Sequence, residues 1–576
     1  MINLLADKYF ILFNNFKKHL FIFCILSLLA VFFESFSVIL LFQGTSIFFN
    51  TSSFVLENNF LYKISNFMDI DIVEKKYTIF LLIVLIYFIK TFFLTFFSWW
   101  RNKFNHQIRK NIGKRLFLKY MFESHKYHLS KNSSEFIRNI TIDNTNFAFS
   151  TFHALYLITE VGILILLSAV LFYLQPTVTL FFCFTYLLFS IGWHIAFKKK
   201  LIKWGQDRQF YDGKMIQFLK EGFSGHKEIQ ILGVENFFIK KFKFNLFNEA
   251  RMNFLSDFVR DLPRLWLEFL LVMSFCFMLI FLLIFKEFNF FAIAPLLAAY
   301  SAAGLRLIPS INRIIVAINT INFNEPVTKL FRQEFKDNIN KNELKNESTK
   351  NLEFENTISL KNVSFSHLEN LPEIIKNFNY EIKKKEIVGI VGLSGSGKST
   401  LGNLLMGVIT PTKGSILIDD VVLEKSNRRK WQDKIGYVPQ TIFFTDDSIK
   451  KNIALGEELN EINNEKIKQL ISYCKLSDFI ETLHLKEDTN VGELGSRISE
   501  GQKQRIGLAR ALYKDPDILV LDEFTSSLDV ETENEIMKII ENLKGKKTIF
   551  IISHRQNAIK YCNKVLDASE LNKNVN

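Results

Sequence analysis

A chain of 576 residues has room for more than one domain, and its 48% apolar content with 62 phenylalanines is greasier than an ordinary soluble protein. The formal net charge of +13 would suit nucleic acid, but the Lys and Arg cluster beside apolar runs and no base-reading motif accompanies them, so membrane topology and anionic lipid account for the charge and no nucleic-acid partner is expected. The five cysteines, Cys24, Cys183, Cys276, Cys474 and Cys562, show neither metal-ligand spacing nor a disulfide pattern.

Six stretches are long and apolar enough to cross ~30 Å of hydrocarbon, at about Leu20–Phe42, Tyr77–Trp99, Phe152–Leu174, Thr177–Phe197, Leu262–Phe285 and Phe291–Ile315. The first is too long, and too poorly supplied with a small-residue cleavage site, to be a removable signal peptide. The segment 101–151 carries ten Lys or Arg and 198–261 is also densely basic, whereas 175–176 and 286–289 are minimal; both termini are therefore expected in the cytoplasm. Residues 1–325 read as a transmembrane domain whose two long basic connections are cytosolic helical extensions. The second has helical periodicity over 218–233 and is punctuated at its tip by Gly222, Gly225 and Gly233. Outside, Phe54, Val55, Leu56, Phe60, Leu61, Ile64, Phe67 and Met68 form an amphipathic stripe that either lies in the outer interface or packs against the spans.

Four cations fall in the inner half of these spans: Lys90, Arg264, Arg306 and Arg313. Arg306 and Arg313 share a helix face, roughly 22 and 33 Å from the outer end of span six at 1.5 Å per residue. Charge at that depth is costly, and Glu34 and Glu268 are the acidic partners at hand. Two readings stay open, snorkelling with ion pairing or a cationic wall for an anionic substrate.

Residues 326–351 are polar and read as a helical linker, and 352–576 alternate short apolar strands with helical segments, an α/β domain. Gly392, Ser394, Gly395, Ser396, Gly397, Lys398, Ser399 and Thr400 follow the apolar run 387–391 and open a helix. Glycines there let successive N–H groups face a phosphate, Lys398 supplies a cation for the β- and γ-phosphates, and the Ser399 hydroxyl can ligate Mg²⁺; the pattern is a nucleoside triphosphate cradle. Residues 518–523 form a buried-strand run ending in Asp522, suited to Mg²⁺ through water, and Glu523, placed to polarise an attacking water. A further strand, 548–552, delivers His554 to the same edge, and Ser499, Gly501 and Gln502 open a helix whose amides can bind a phosphate.

This ordered motif set resembles the ATP-binding cassette (ABC) transporters of exporter type, half-transporters with six spans fused to one nucleotide-binding domain. The resemblance implies that 392–399 is the Walker A loop, Gln440 the Q-loop residue and a Mg²⁺ ligand with Ser399 and Asp522, and 489–495 the X-loop. It makes 498–502 the signature, 522–523 the end of Walker B, 527–529 the D-loop and His554 the switch histidine. Two departures stand out: Ile498 and Glu500 replace the preferred leucine and glycine of the signature, and His367 occupies the place of the adenine-stacking tyrosine. In this family the signature of one chain closes over the Walker A of another, so a second copy of the chain is implied, with ATP hydrolysis driving alternating access in a bacterial inner membrane. Within the exporters, 263–268 and 305–313 look like the lipid-linked oligosaccharide flippases, which implies an anionic polyprenyl-pyrophosphate glycan met by Lys90, Arg264, Arg306 and Arg313. A multidrug, lipid or peptide exporter is the alternative.

Overall fold

The computed structural model describes residues 9, 16–48, 72–174, 176–285, 290–336, 352–367, 372–393, 395–525, 528–554 and 559–572, excepting the side chains of 41–48, 72–80 and 281–306, among a few others. The expected outer stripe, Ser394, Ser527 and the side chain of Arg306 thus lie outside the described residues. Two compact units emerge, one of residues 1–123 and 128–339, the other of 124–127 and 340–576.

Helices make the first unit: α1 (Lys17–Phe48), α2 (Ile72–Phe122), α3 (Asn144–Leu174), α4 (Pro176–Ser224), α5 (Glu235–Phe285), α6 (Phe290–Phe323) and α7 (Glu325–Lys336). The lengths of α2, α4 and α5, 51, 49 and 51 residues, correspond to about 75 Å each. A bilayer core takes up only ~30 Å of that, so each helix runs on for tens of ångströms beyond it. Among the described residues, Lys17–Ser37, Leu81–Phe122, Ser133–Tyr173 and Thr179–Ser224 are long and apolar enough to cross a membrane, and Leu307–Phe323 is a shorter apolar helix. The fifth and sixth predicted spans fall within α5 and α6, whose side chains are described only in part.

Along these helices α4 packs on α5 and α3 on α6. At Gly205 the helices α4 and α6 meet backbone to backbone: a Cβ there would lie 1.9 Å from the Phe323 carbonyl oxygen. Leu201, Val259 and Phe323 bury their side chains around that contact. One turn of π-helix, Asn139–Asp143, leads into α3 and aims Asp143 at α4, where its carboxylate accepts from Gln209 Nε2 (2.9 Å), while Arg138 Nε, just before the turn, donates to the same oxygen at 3.0 Å. The stretch expected to begin a linker is helical as α7, burying Val327, Phe331 and Phe335 in this unit, with Glu334 bridging Lys119 (2.8 Å) and Lys131 (3.0 Å).

The second unit holds nine strands among its described residues: β1 (Thr357–Phe365), β2 (Ile375–Lys383), β3 (Ile387–Val391), β4 (Lys413–Ile418), β5 (Val421–Val422), β6 (Ile435–Val438), β7 (Ile518–Asp522), β8 (Thr548–Ile552) and β9 (Lys564–Asp567). Its principal helices are α8 (Lys398–Leu405), α9 (Asn464–Tyr473), α10 (Glu500–Tyr513) and α11 (Val530–Glu541). An antiparallel sheet runs β2-β1-β4-β5, and a parallel one β6-β7-β8-β3-β9. Residues 518–521 of β7 and 549–552 of β8 are apolar and buried, as parallel strands covered on both faces must be. Fully buried Trp431 ties the region after α8 to the core by donating Nε1–H to the Leu405 carbonyl at 2.7 Å.

Candidate functional site

Strand order decides where the chemistry gathers. Because β6, β7, β8 and β3 are consecutive neighbours in one parallel sheet, the segments leaving their C-terminal ends line one edge, where α/β sheets bind ligands. Register aligns them closely: Asp522 pairs with Ile552 and Ile390 also pairs with Ile552, so the chain beyond each strand emerges at the same level. Backbone bonds from Glu523 N to Ile552 O (2.8 Å) and from Ser553 N to Ile390 O (3.2 Å) carry the alignment past the strand ends.

Leaving β3, the loop turns on glycines in the left-handed region. Gly397, at φ +95°, caps α8 and packs so tightly on Ile374 that a Cβ would sit 3.0 Å from its Cγ2. Lys398 is buried, and its Nζ donates to the carbonyls of Gly392 and Leu393, both at 2.9 Å. Burial lowers its pKa against the pull of Glu523 and Asp522. The buried Ser396 Oγ has no hydrogen-bond partner among the described residues. An orphaned hydroxyl, a confined ammonium and a glycine turn at a helix N-terminus together fit the phosphates of a nucleoside triphosphate. Ser399 is exposed at the start of α8 and Thr400 half-buried.

Leaving β7, Asp522 and Glu523 take different surroundings. Burial and then the neighbouring Glu523 carboxylate raise the Asp522 pKa, and the oxygen donors of Asp522, Ser399 and Gln440 are of the kind a Mg²⁺ ion would take. Tyr437, from β6, donates its hydroxyl to Asp522 Oδ2 at 3.4 Å, and burial followed by that carboxylate pushes the phenol up to about 12. Glu523 sits at φ +45°, and its two oxygens are divided: Oε2 accepts from Gln440 Nε2 at 2.9 Å while Oε1 lies 2.7 Å from His554 Nε2. Of the three residues expected to be catalytic, Glu523 thus contacts both Gln440 and His554. Tyr437 was not singled out from sequence; a tyrosine three positions before Gln440, on a short strand abutting Walker B, was the available signal.

The signature segment forms the N-terminus of α10. Ser499 accepts from Gln502 N (3.3 Å) and Gln502 Oε1 accepts from Ser499 N (2.8 Å), a reciprocal capping box. Glu500, one of the departures, is exposed and pairs with Lys503 at 2.8 Å, which moderates its charge at the positive helix end. Gly501 packs against α11, where a Cβ would meet Thr532 Cγ2 at 3.3 Å. His367, the other departure, is exposed and stands edge-on to Phe365 with ring centroids 5.2 Å apart.

In the first unit three of the expected cavity cations, Lys90, Arg264 and Arg313, are paired, and the side chain of Arg306 lies outside the described residues. Lys90 bonds to Glu34 and Ser37, both at 2.8 Å, and Arg264 to Glu268 at 2.9 Å on an exposed face. Arg313 donates Nη1–H to Glu160 at 3.0 Å. Glu160 went unnoticed in the sequence although an acidic residue eight positions into an apolar span is itself a signal.

Comparison with known proteins places these features. The family model for ABC transporters matches residues 375–526, and that for the ABC transporter transmembrane region matches 20–301. A probable ABC transporter ATP-binding/permease protein of Haemophilus influenzae is 31% identical over 363 residues, 62% of this chain and 63% of that one. The leukotoxin translocation ATP-binding protein LktB of Mannheimia glucosida is 39% identical over 214 residues, 37% of this chain and 30% of that one. The β-(1→2)glucan export ATP-binding/permease protein NdvA of Rhizobium etli is 40% identical over 209 residues, 36% and 35% of the two chains. The chain therefore spans about a third of the toxin and glucan relatives it matches. In fold it resembles a bacterial Atm1-family ABC exporter solved with ATP bound, with a TM-score of 0.77 over 96% of this chain and 94% of that one at 19% identity.

Proposed function

The chain belongs to the ABC transporters, an exporter-type helical membrane domain fused to an ABC nucleotide-binding domain, and from this we propose that it hydrolyses ATP to move an anionic lipid-linked oligosaccharide across the bacterial inner membrane. The observation that carries the ATPase half is the placement of Glu523 between Gln440 and His554 on the edge that also bears the Lys398 loop. Glu523 orients and deprotonates the attacking water, His554 holds the Glu523 carboxylate in place, and Gln440 reports the occupied site to the segment that follows β6. Lys398 and the 392–400 loop, with Ser394, grip the phosphates, while Ser399, Gln440 and Asp522 hold Mg²⁺, which when bound neutralises the phosphate oxygens. His367 stacks on the base.

The site is completed by a second copy, whose Ser499, Gly501 and Gln502 close over the triphosphate; both sites of such a homodimer carry Glu523 and His554. Both termini are cytoplasmic, and closure of the nucleotide-binding domains drives alternating access as a population shift.

The anionic substrate is supported by Lys90, Arg264, Arg306 and Arg313 in the inner half of the spans and by the likeness of 263–268 and 305–313 to lipid-linked oligosaccharide flippases. The glucan-export name of one relative is compatible with a saccharide cargo. Proteoliposomes loaded with a fluorescent polyprenyl-pyrophosphate glycan test the reading: ATP-dependent translocation is expected, and it falls when Arg306 and Arg313 are both replaced by alanine. Translocation unaffected by that double change removes the cationic wall.

A further inference from the structure

Deepening the substrate reading above, on which it rests, we propose that Arg101 is a specificity residue of an anion subsite at the inner end of the helical bundle, one that favours amphiphiles with a phosphate or pyrophosphate head. Arg101 was not among the expected cavity residues. It lies on α2 two positions past the predicted inner end of span two, and only 9% of it is exposed. Its guanidinium stacks at 4.2 Å from the Tyr156 ring centre, with Phe152 at 5.0 Å and Phe97 at 5.5 Å. The same Tyr156 ring has the Arg313 guanidinium 5.8 Å away. One tyrosine of α3 therefore gathers an arginine from α2 and one from α6.

The charges around it do not balance. Glu160 serves Arg313 through Oε1, and its Oε2, like the Arg101 Nε, is buried with no hydrogen-bond partner among the described residues. Nearby, Lys90 is matched by Glu34 and Arg260 by Asp257 at 2.8 Å. Among the described residues two guanidiniums thus share the Glu160 carboxylate, with Glu34 acting on Arg313 only from farther off and already bonded to Lys90, which leaves the pair under-compensated where charge is costly and invites a counterion. Arg313, with 39% of its side chain exposed, is the member a ligand can touch. Arg101 acts from behind, through its field and through the ring it holds. Glu160 is then the built-in competitor that a phosphate oxygen displaces from Arg313, and a cationic drug is repelled.

The test uses the whole transporter in nanodiscs, with geranylgeranyl pyrophosphate as probe and geranylgeraniol as its neutral counterpart, reading the concentration that half-maximally stimulates ATP hydrolysis and the maximum reached. The pyrophosphate should act and the alcohol should not. R101M should raise the half-stimulating concentration about tenfold with the maximum retained, R101K should restore it to within about threefold, and E160Q should lower it severalfold. Equal response of the wild type to both compounds, or to neither, overturns the anionic-substrate reading and the subsite with it. A wild type that discriminates while R101M behaves identically overturns the subsite alone, as does loss of the maximum in R101M and R101K alike. If R101M does not fold, E160Q decides, and an unshifted E160Q overturns the proposal.

Discussion

Replacing Glu523 with glutamine keeps the side chain's size and removes its ability to take a proton. In the structure each carboxylate oxygen has one partner, Gln440 Nε2 at 2.9 Å and His554 Nε2 at 2.7 Å. A glutamine can still accept from Gln440 through its carbonyl and donate its amide to an imidazole nitrogen, so the local geometry survives the change. Lost is the general base, a contribution of about 10²–10⁴ in rate, or about 2.7–5.5 kcal/mol at 1.36 kcal/mol per decade. Removing a negative charge beside the triphosphate leaves ATP affinity equal or tighter. Single-turnover hydrolysis of purified E523Q should therefore be slower by at least a hundredfold while ATP binding is retained and a closed dimer accumulates on size-exclusion chromatography. Turnover within tenfold of wild type would show that Glu523 is not the base, and the contact with His554 would need another explanation.

Other expectations follow from single contacts. K398A should lose ATP binding, measured with a fluorescent analogue, because the cradle's ammonium and the bonds propping the Gly392 and Leu393 carbonyls go together. G205A should lower the melting temperature, since its Cβ would meet the Phe323 carbonyl at 1.9 Å and backbone cannot yield as a side chain does; overpacking of this kind costs about 1–3 kcal/mol. On the same helix G192A, with nothing within 4 Å of its Cβ, should be neutral or stabilise by up to about 1 kcal/mol. Asp419 is a pH test: burial would raise its carboxyl, but backbone N–H groups of Thr357 (2.7 Å), Asn356 (2.9 Å) and Glu355 outweigh that and hold it below the ordinary carboxylate range. With the folded pKa below the unfolded one, its stabilisation is complete above pH ~4 and is lost as pH falls through the folded value. Partial exposure limits the effect of D419N to about 1 kcal/mol in denaturant unfolding near pH 6, shrinking as pH falls through the folded value.

The nucleotide site was legible in the sequence because its parts obey local rules. A glycine turn after an apolar run, an acidic pair ending a run of branched residues and a histidine ending another each announce a strand end. Nothing local says that β3, β8, β7 and β6 lie side by side, and only that order makes Glu523, His554 and Gln440 touch. The role of Tyr437 rests on the same order, since its partner Asp522 is 85 residues away and only its place three positions before Gln440 marks it in the sequence. Helix periodicity likewise foretold the long extensions of α2, α4 and α5, whereas the π-turn at 139–143 exists to point Asp143 at Gln209 on α4, a long-range demand without a sequence signature.

The pairing of the membrane cations changes what substrate affinity means. In the sequence, Lys90 and Arg313 leave two readings open, ion pairing with snorkelling or a cationic wall for an anion. In the structure each already has a carboxylate within 3.0 Å, so an incoming phosphate exchanges one charge-assisted bond for another and gains only the difference. A bare arginine pair in a low-dielectric bundle would bind a pyrophosphate so tightly that release, rather than ATP hydrolysis, would limit transport. If the substrate is the proposed anion, resident carboxylates would solve that problem, because Glu34 and Glu160 would reclaim their partners and help expel it when the helices move. On this reasoning E34Q and E160Q should both strengthen substrate binding and slow turnover. A rise in affinity with unchanged translocation rate, measured in the same proteoliposomes, would show that the acids balance charge without assisting release.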